Sequence, residues 1–177
     1  MFWAAISLYF MVKKIRRINM NKETRGMIQI PTNRVLSEKR SGKQVISVHR
    51  KYVNSLNQVC CLDSNYEYDY ALYLDYLYDS GQIAGWVRNT TKFGFSEEVE
   101  VRGRRQHAYR PDFIVFFKNG TYEIHEVKGW MNERSKTVLS QFAKDYAGFK
   151  VVVIGKDEML SLQQQFKDKL WGWVMIK

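Results

Sequence analysis

The chain is short of cysteine, of long apolar sequence and of acid. Its two cysteines, Cys60 and Cys61, are adjacent. Neighbouring cysteines rarely bridge each other, so a disulfide framework is excluded and a reducing compartment, the cytoplasm, fits best. No C-x-x-C spacing and no Cys/His cluster occurs, which excludes a zinc finger. The apolar stretch Met1–Val12 falls short of the about 20 residues that a transmembrane helix needs. Its charges, Lys13-Lys14-Ile15-Arg16-Arg17, follow the apolar run, whereas a secretory signal places them before it. Three readings stay open for this stretch: an interfacial anchor, a packed N-terminal helix, or a leader translated upstream of a start at Met11 or Met20. No stable membrane association is expected. No internal repeat and no second domain is visible.

The deficit of acid is informative. Against 28 Lys and Arg stand 18 Asp and Glu, a formal net charge of +10. That balance favours a polyanionic partner, DNA, RNA or an anionic membrane, over charge that serves solubility alone. Hydrophobic residues make up 45% of the chain, which excludes a disordered tail, and 177 residues suffice for one domain with a sizeable core. Residues 1–43 read as a leader and basic arm, and residues 44–177 as the folded domain. The arm's charges (Lys13, Lys14, Arg16, Arg17, then Arg34, Lys39, Arg40, Lys43) either track phosphates or are solvated.

Val45–Val48 is a short strand candidate. Ser64–Ser80 reads as a helix: Ser64 and Glu67 form an S-x-x-E capping box, Tyr66, Tyr70, Leu74, Leu77 and Tyr78 recur at helical spacing, and Gly81 suits the C-terminal cap. Ile83–Arg88 looks like a strand, and Thr90–Gln106 is a polar connection with room for a ribbon. Tyr109–Phe117 and Thr121–Lys128 are strands flanking Asn119-Gly120, a strong hairpin signal. Asn132–Tyr146 reads as a helix, Phe149–Gly155 as a buried strand and Asp157–Leu170 as a final helix. This order predicts an α/β fold, a mixed central sheet flanked by helices.

The stretch that carries chemistry runs from Arg110-Pro111-Asp112-Phe113 to Glu126-Val127-Lys128-Gly129. Alternate strand residues share a face, so Glu126 and Lys128 project together. Two carboxylates and an ammonium gathered on a sheet make a hard-cation site with a positive group beside it, which suits phosphodiester cleavage with magnesium. Charges on hairpins often merely pair across strands. Here Asp112 leads into Phe-Ile-Val-Phe-Phe, a central strand in which a charge needs a partner.

Register decides whether that site exists. A two-residue turn at Asn119-Gly120 sets Asp112 opposite Val127, on the wrong face. A three-residue loop, Lys118-Asn119-Gly120 with Gly120 left-handed, sets it opposite Glu126. The expectation is that loop, or a bulge near Pro111 that restores the match.

Pro111-Asp112 followed by Glu126-Val127-Lys128 resembles the PD-(D/E)xK nuclease superfamily. The block Tyr109 to Trp130, with the upstream helix Ser64-Asn65-Tyr66-Glu67, Ala71 and Leu74 and the following Gly81-Gln82-Ile83 and Trp86, is similar to phage-type endonucleases, including Holliday junction resolvases. The resemblance covers roughly residues 64–155. It implies a restriction-endonuclease-like core of order αβββαβ and Mg2+-dependent DNA hydrolysis, with Mn2+ as a substitute. It implies that Asp112, Glu126, the Val127 backbone carbonyl and Glu67 serve the metal, and that Lys128 orients or deprotonates the attacking water. A lysine beside a divalent cation is expected to have a depressed pKa. It further implies work in the cytoplasm, a host's if phage-encoded, and a homodimer with two active sites.

Arg102, Arg104, Arg105 and Arg110 precede the site, and Arg134 and Lys136 open the next helix; all six are candidate phosphate contacts. His107 is a lone histidine with a weak claim, and His125 falls on the other face of its strand. Two cleaving readings compete, a structure-selective enzyme for branched DNA and a sequence-specific restriction or homing-type cutter. No zinc finger or separate helix-turn-helix is visible, which favours shape over sequence readout. Outside catalysis stand a nucleic-acid-binding module on the same fold and a membrane-peripheral protein anchored by residues 1–17.

Overall fold

The computed structural model describes residues 34–40, 43–166 and 168–170, with side chains from Arg50 onward. The apolar start of the chain and most of the basic arm therefore lie outside the described residues. Strands β1 (Arg34–Arg40), β2 (Lys43–Val53) and β3 (Val59–Leu62) form an antiparallel three-stranded sheet in that order. The leader and basic arm expected over residues 1–43 thus ends in a paired strand. Arg34–Arg40 pairs residue by residue with β2, setting Val35 across from Val48, and this ladder satisfies backbone that a free arm would leave to water.

Helix α1 (Asn65–Asp79) starts where expected: Ser64 caps it, its side chain accepting from the Glu67 N–H at 3.1 Å. It stops at Gly81, whose φ of +72° only glycine adopts without cost, and the Gly81 and Gln82 amides donate back to Tyr78 and Leu77. Strand β4 (Gly85–Arg88) follows, then a ribbon of β5 (Phe93–Val101) and β6 (Arg104–Tyr109), then β7 (Phe113–Phe116), β8 (Tyr122–Val127), α2 (Glu133–Asp145), β9 (Lys150–Ile154) and α3 (Lys156–Phe166). The central sheet has the order β4-β7-β8-β9, antiparallel except for the parallel pair β8–β9 that α2 connects. The chain is therefore α/β with a mixed sheet and, among the described residues, three helices.

One expected strand is two. Tyr109 ends β6 and Phe113 begins β7, so the predicted run Tyr109–Phe117 breaks at Arg110-Pro111-Asp112. Pro111 has no N–H to give to a ladder. Asn89 stabilises the break, its side chain donating to the Pro111 carbonyl at 3.1 Å and its backbone N–H to the Asp112 carbonyl at 2.9 Å.

Period-two alternation divides the core. Phe113, Val115 and Val127 pack with Trp86, with Tyr70, Ala71 and Leu74 of α1, and with Met159 of α3. On the opposite face Ile124 packs with Val138 and Phe142 of α2 and with Phe93 and Tyr109 of the ribbon. No helix among the described residues is long and apolar enough to cross a membrane.

Candidate active site

The hairpin β7–β8 has the three-residue loop. Phe113 pairs with His125 and Phe116 with Tyr122, and the Phe117 N–H donates to the Thr121 carbonyl at 2.9 Å. Lys118-Asn119-Gly120 turns the chain, with Gly120 at a φ of +86°. The same register carried one step beyond β7 sets Asp112 across from Glu126, and the Asp112 Oδ2 accepts from the Val127 N–H at 2.8 Å. Glu126 is on the face of Ile124, which α2 and the ribbon cover, and Asp112 meets its strand just before β7.

Three carboxylates are buried here: Glu126 is 2% exposed, Asp112 and Glu67 7% each. Buried anions need partners, and each has them. Lys128 Nζ lies 2.6 Å from Glu126 Oε1, and the Tyr109 hydroxyl donates to Glu126 Oε2. Arg88 donates through Nη1 to the Asp112 carbonyl at 2.7 Å and to Oδ1 at 3.0 Å. Its Nη2 lies 2.9 Å from Glu67 Oε2, and the Asp63 N–H donates to that same oxygen at 3.0 Å.

Burial pushes the Glu67 carboxyl up to about 7 against the pull of Arg88. Burial and then the Asp112 charge raise Glu126, while Lys128 and Tyr109 draw it back. Burial works to lower Lys128, but the charges of Glu126 and Asp112 outweigh it and raise the ammonium above the ordinary lysine value. Among the protein's own groups the direction is thus opposite to the expected depression. A cation that engaged both carboxylates would remove the attraction that raises Lys128 and add repulsion in its place.

A cleft of about 320 Å³ opens over this site, walled by Glu126, Lys128, Tyr109, Arg110, Asn132 and Arg134. Asp112 and Glu67 are not among its lining residues. A neighbouring cleft of about 380 Å³ shares Asn132 and Arg134 and runs to Arg102 and Arg104 at the tip of the ribbon. Four of the six candidate phosphate contacts thus face connected clefts. The other two do not: Arg105 is exposed beside Glu98 at 3.5 Å, and Lys136 pairs with Glu133 at 2.9 Å. His107 also sits on Glu98, at 3.1 Å. His125 is buried on the α1 face between Tyr70 and Glu123, away from the cleft.

Among the described residues, no group of three or more His, Cys, Asp or Glu side chains is arranged to hold a metal ion. The oxygen donors available are Asp112, Glu126 and the Val127 carbonyl. A carboxylate oxygen that accepts one hydrogen bond keeps a second lone pair, and Mg2+ completes its shell with water. The set fits a hard divalent ion with few protein ligands. Arg88 bridges Glu67 to Asp112, and the Glu67 charge also helps to raise Lys128.

Sequence reasoning missed Arg88 and Tyr109. Arg88 had a signal: it follows Trp86 by two residues in an apolar strand, so its charge had to be met inside the fold. Tyr109 had none, because the chain breaks between it and Asp112 and no period spans a break. No family model matches the chain, and no curated protein matches it.

Proposed function

We propose that this chain is a divalent-metal-dependent endonuclease that hydrolyses DNA phosphodiesters on a restriction-endonuclease-like core. One observation supports this above others: Asp112 stands across from Glu126, with Lys128 at 2.6 Å from the latter, under a cleft walled by Arg110 and Arg134. Bound Mg2+, or Mn2+ in its place, supplies a water of lowered pKa and offsets charge building on the phosphate. The Asp112 and Glu126 carboxylates and the Val127 carbonyl would hold it. Lys128 is the ammonium beside them; it orients the attacking water and donates to the phosphate oxygens. Arg110 and Arg134 take the backbone on either side, and Arg102 and Arg104 extend that track along the ribbon. Among the described residues no separate base-reading module stands beside the cleft, which favours branched DNA over a fixed sequence. The place of action is the cytoplasm, and a homodimer would present two such clefts to one junction.

The test is incubation of the full chain with junction, flap and linear duplex DNA, with Mg2+ or with EDTA. Metal-dependent strand breaks that Lys128→Ala abolishes are expected. Intact strands on every substrate with both Mg2+ and Mn2+ would refute the assignment.

A second reading has its own observation. Each oxygen of Asp112 and Glu126 already has a protein partner, and no three-carboxylate cluster forms among the described residues. A nucleic-acid-binding module would keep the basic clefts and use these carboxylates as structural anchors. It predicts DNA binding that EDTA does not change and no cutting.

A further inference from the structure

We propose that Arg88 is the positioning residue of this site: it fixes the Asp112 carboxylate for a divalent cation, and Glu67 acts through Arg88 instead of on the cation. This rests on the reading that Asp112 and Glu126 receive such a cation.

The Arg88 side chain is 8% exposed and ion-paired with three acids. Nη1 serves Asp112 at both its carbonyl and Oδ1; Nη2 serves Glu67 at 2.9 Å and Asp63 at 3.3 Å. The Phe113 ring lies 5.4 Å from Cζ. A guanidinium is planar, so partners at both ends and a ring against its face fix its plane. A lysine at this position offers one nitrogen and cannot hold both acids with that geometry.

The topology explains why a bridge is needed. Phe113 and Trp86 face α1, and Arg88 starts on that same side, two residues beyond Trp86. Glu67 comes from the first turn of α1, one helical turn before Tyr70 and Ala71, which pack on the sheet. Glu126 belongs to the other face, and Asp112 stands just before β7. Arg88 joins Glu67 to Asp112. Asp112 is then held at Oδ1 by Arg88 and at Oδ2 by the Val127 N–H, and each oxygen keeps a second lone pair. Glu67 Oε2 is met twice, by Arg88 and by the Asp63 N–H, and Oε1 lies 3.4 Å from the Ser64 hydroxyl. A group that orients a metal ligand from behind typically changes metal affinity by about 10- to 100-fold when removed. A direct ligand has no such route through a neighbour.

The experiment is a double-mutant cycle on Mn2+ affinity, read by electron paramagnetic resonance on the full chain without DNA. Glu67→Gln and Arg88→Lys should each weaken Mn2+ binding about tenfold, and the double variant should be no weaker than Arg88→Lys alone. Asp112→Asn should lose at least about 100-fold. Losses from Glu67→Gln that match Asp112→Asn, or that multiply with those of Arg88→Lys, would overturn the proposal. A parallel measurement needs neither metal nor a folded Arg88→Lys protein: the Arg88 Nη signals in nitrogen NMR should be resolved and slow to exchange, and should average in Glu67→Gln. Averaged signals in the unsubstituted chain would overturn the proposal on their own. Resolved signals in a chain that binds no Mn2+ would instead uphold the Glu67–Arg88–Asp112 bridge and remove the nuclease reading.

Discussion

Arg88 donates twice to Asp112, once to its backbone carbonyl and once to its carboxylate, so one side chain holds both the strand break and the acid that the break presents. The pairing makes Asp112 a structural as well as a chemical residue, and the two roles can be separated by measurement.

Asp112→Asn should leave an amide that still accepts from Arg88 or from the Val127 N–H but carries no charge. Cutting should fall below detection, while affinity for DNA in EDTA should change by less than about threefold, since Asp112 is buried and does not line the cleft. Urea unfolding should show a loss of about 2 kcal/mol, the scale of a weakened buried charge-assisted bond. A variant that still cuts at the original rate would remove Asp112 from the chemistry.

Arg110 and Arg134 flank the cleft, and Arg105 and Lys136 do not reach it. Each phosphate contact adds about 0.9 to the slope of log K against log salt on duplex DNA. Substituting Arg110 and Arg134 together by Ala should lower the slope by about 2, and substituting Arg105 and Lys136 together should leave it near its original value. Equal effects from both pairs would mean that the charge acts only as a diffuse field.

His125 offers a pH test away from the cleft. Burial lowers its pKa below the ordinary 6.5, although Glu123 pulls the other way. The neutral ring fits the contacts: Nδ1 lies 2.6 Å from the Tyr70 hydroxyl and Nε2 3.1 Å from Glu123 Oε2. A group whose folded pKa lies below its unfolded value stabilises the fold above the unfolded pKa and ceases to do so as pH falls toward the folded one. Melting temperature should therefore drop as pH falls below about 6.5, and His125→Gln should flatten that drop. Tyr70→Phe removes the hydroxyl partner of Nδ1, and carbon-resolved NMR can follow the His125 titration that results.

Gly120 holds the register. At a φ of +86°, Gly120→Ala should cost about 1 kcal/mol by chemical denaturation. Insertion of one residue beside Asn119 is the sharper test. It should either bulge out with activity kept or slip the hairpin and place Asp112 opposite a residue of the α1 face, with cutting lost. Kept activity with a shifted β7–β8 pairing would contradict the dependence of the site on register.

Much of the frame was legible because its signals are local. The Ser64–Glu67 cap, the left-handed Gly81 and the Asn119-Gly120 loop each act within a few residues, and α1 begins and ends where the first two of those signals sit. The hairpin register followed from the demand that two acids share one face. The break at Pro111 was harder, because the apolar run beyond it masks a residue that cannot join a ladder. The ribbon β5–β6 buries only Phe93, Val99 and Tyr109 among otherwise more exposed residues, too few to mark its strands by alternation. Arg88 and Tyr109 reach their acids across different elements, and contacts of that kind are set by packing, which composition and period do not encode.

The ribbon is a two-stranded sheet with no ladder to the strands that present Asp112 and Glu126. It is moored through Phe93 and Tyr109 to Phe142 of α2, ring against ring. Lengthening or recharging its tip would leave the chemistry in place. Relatives of this chain are free to diverge there in reach and grip, and an engineer seeking a new target should graft at Arg102-Gly103 before touching anything nearer the acids.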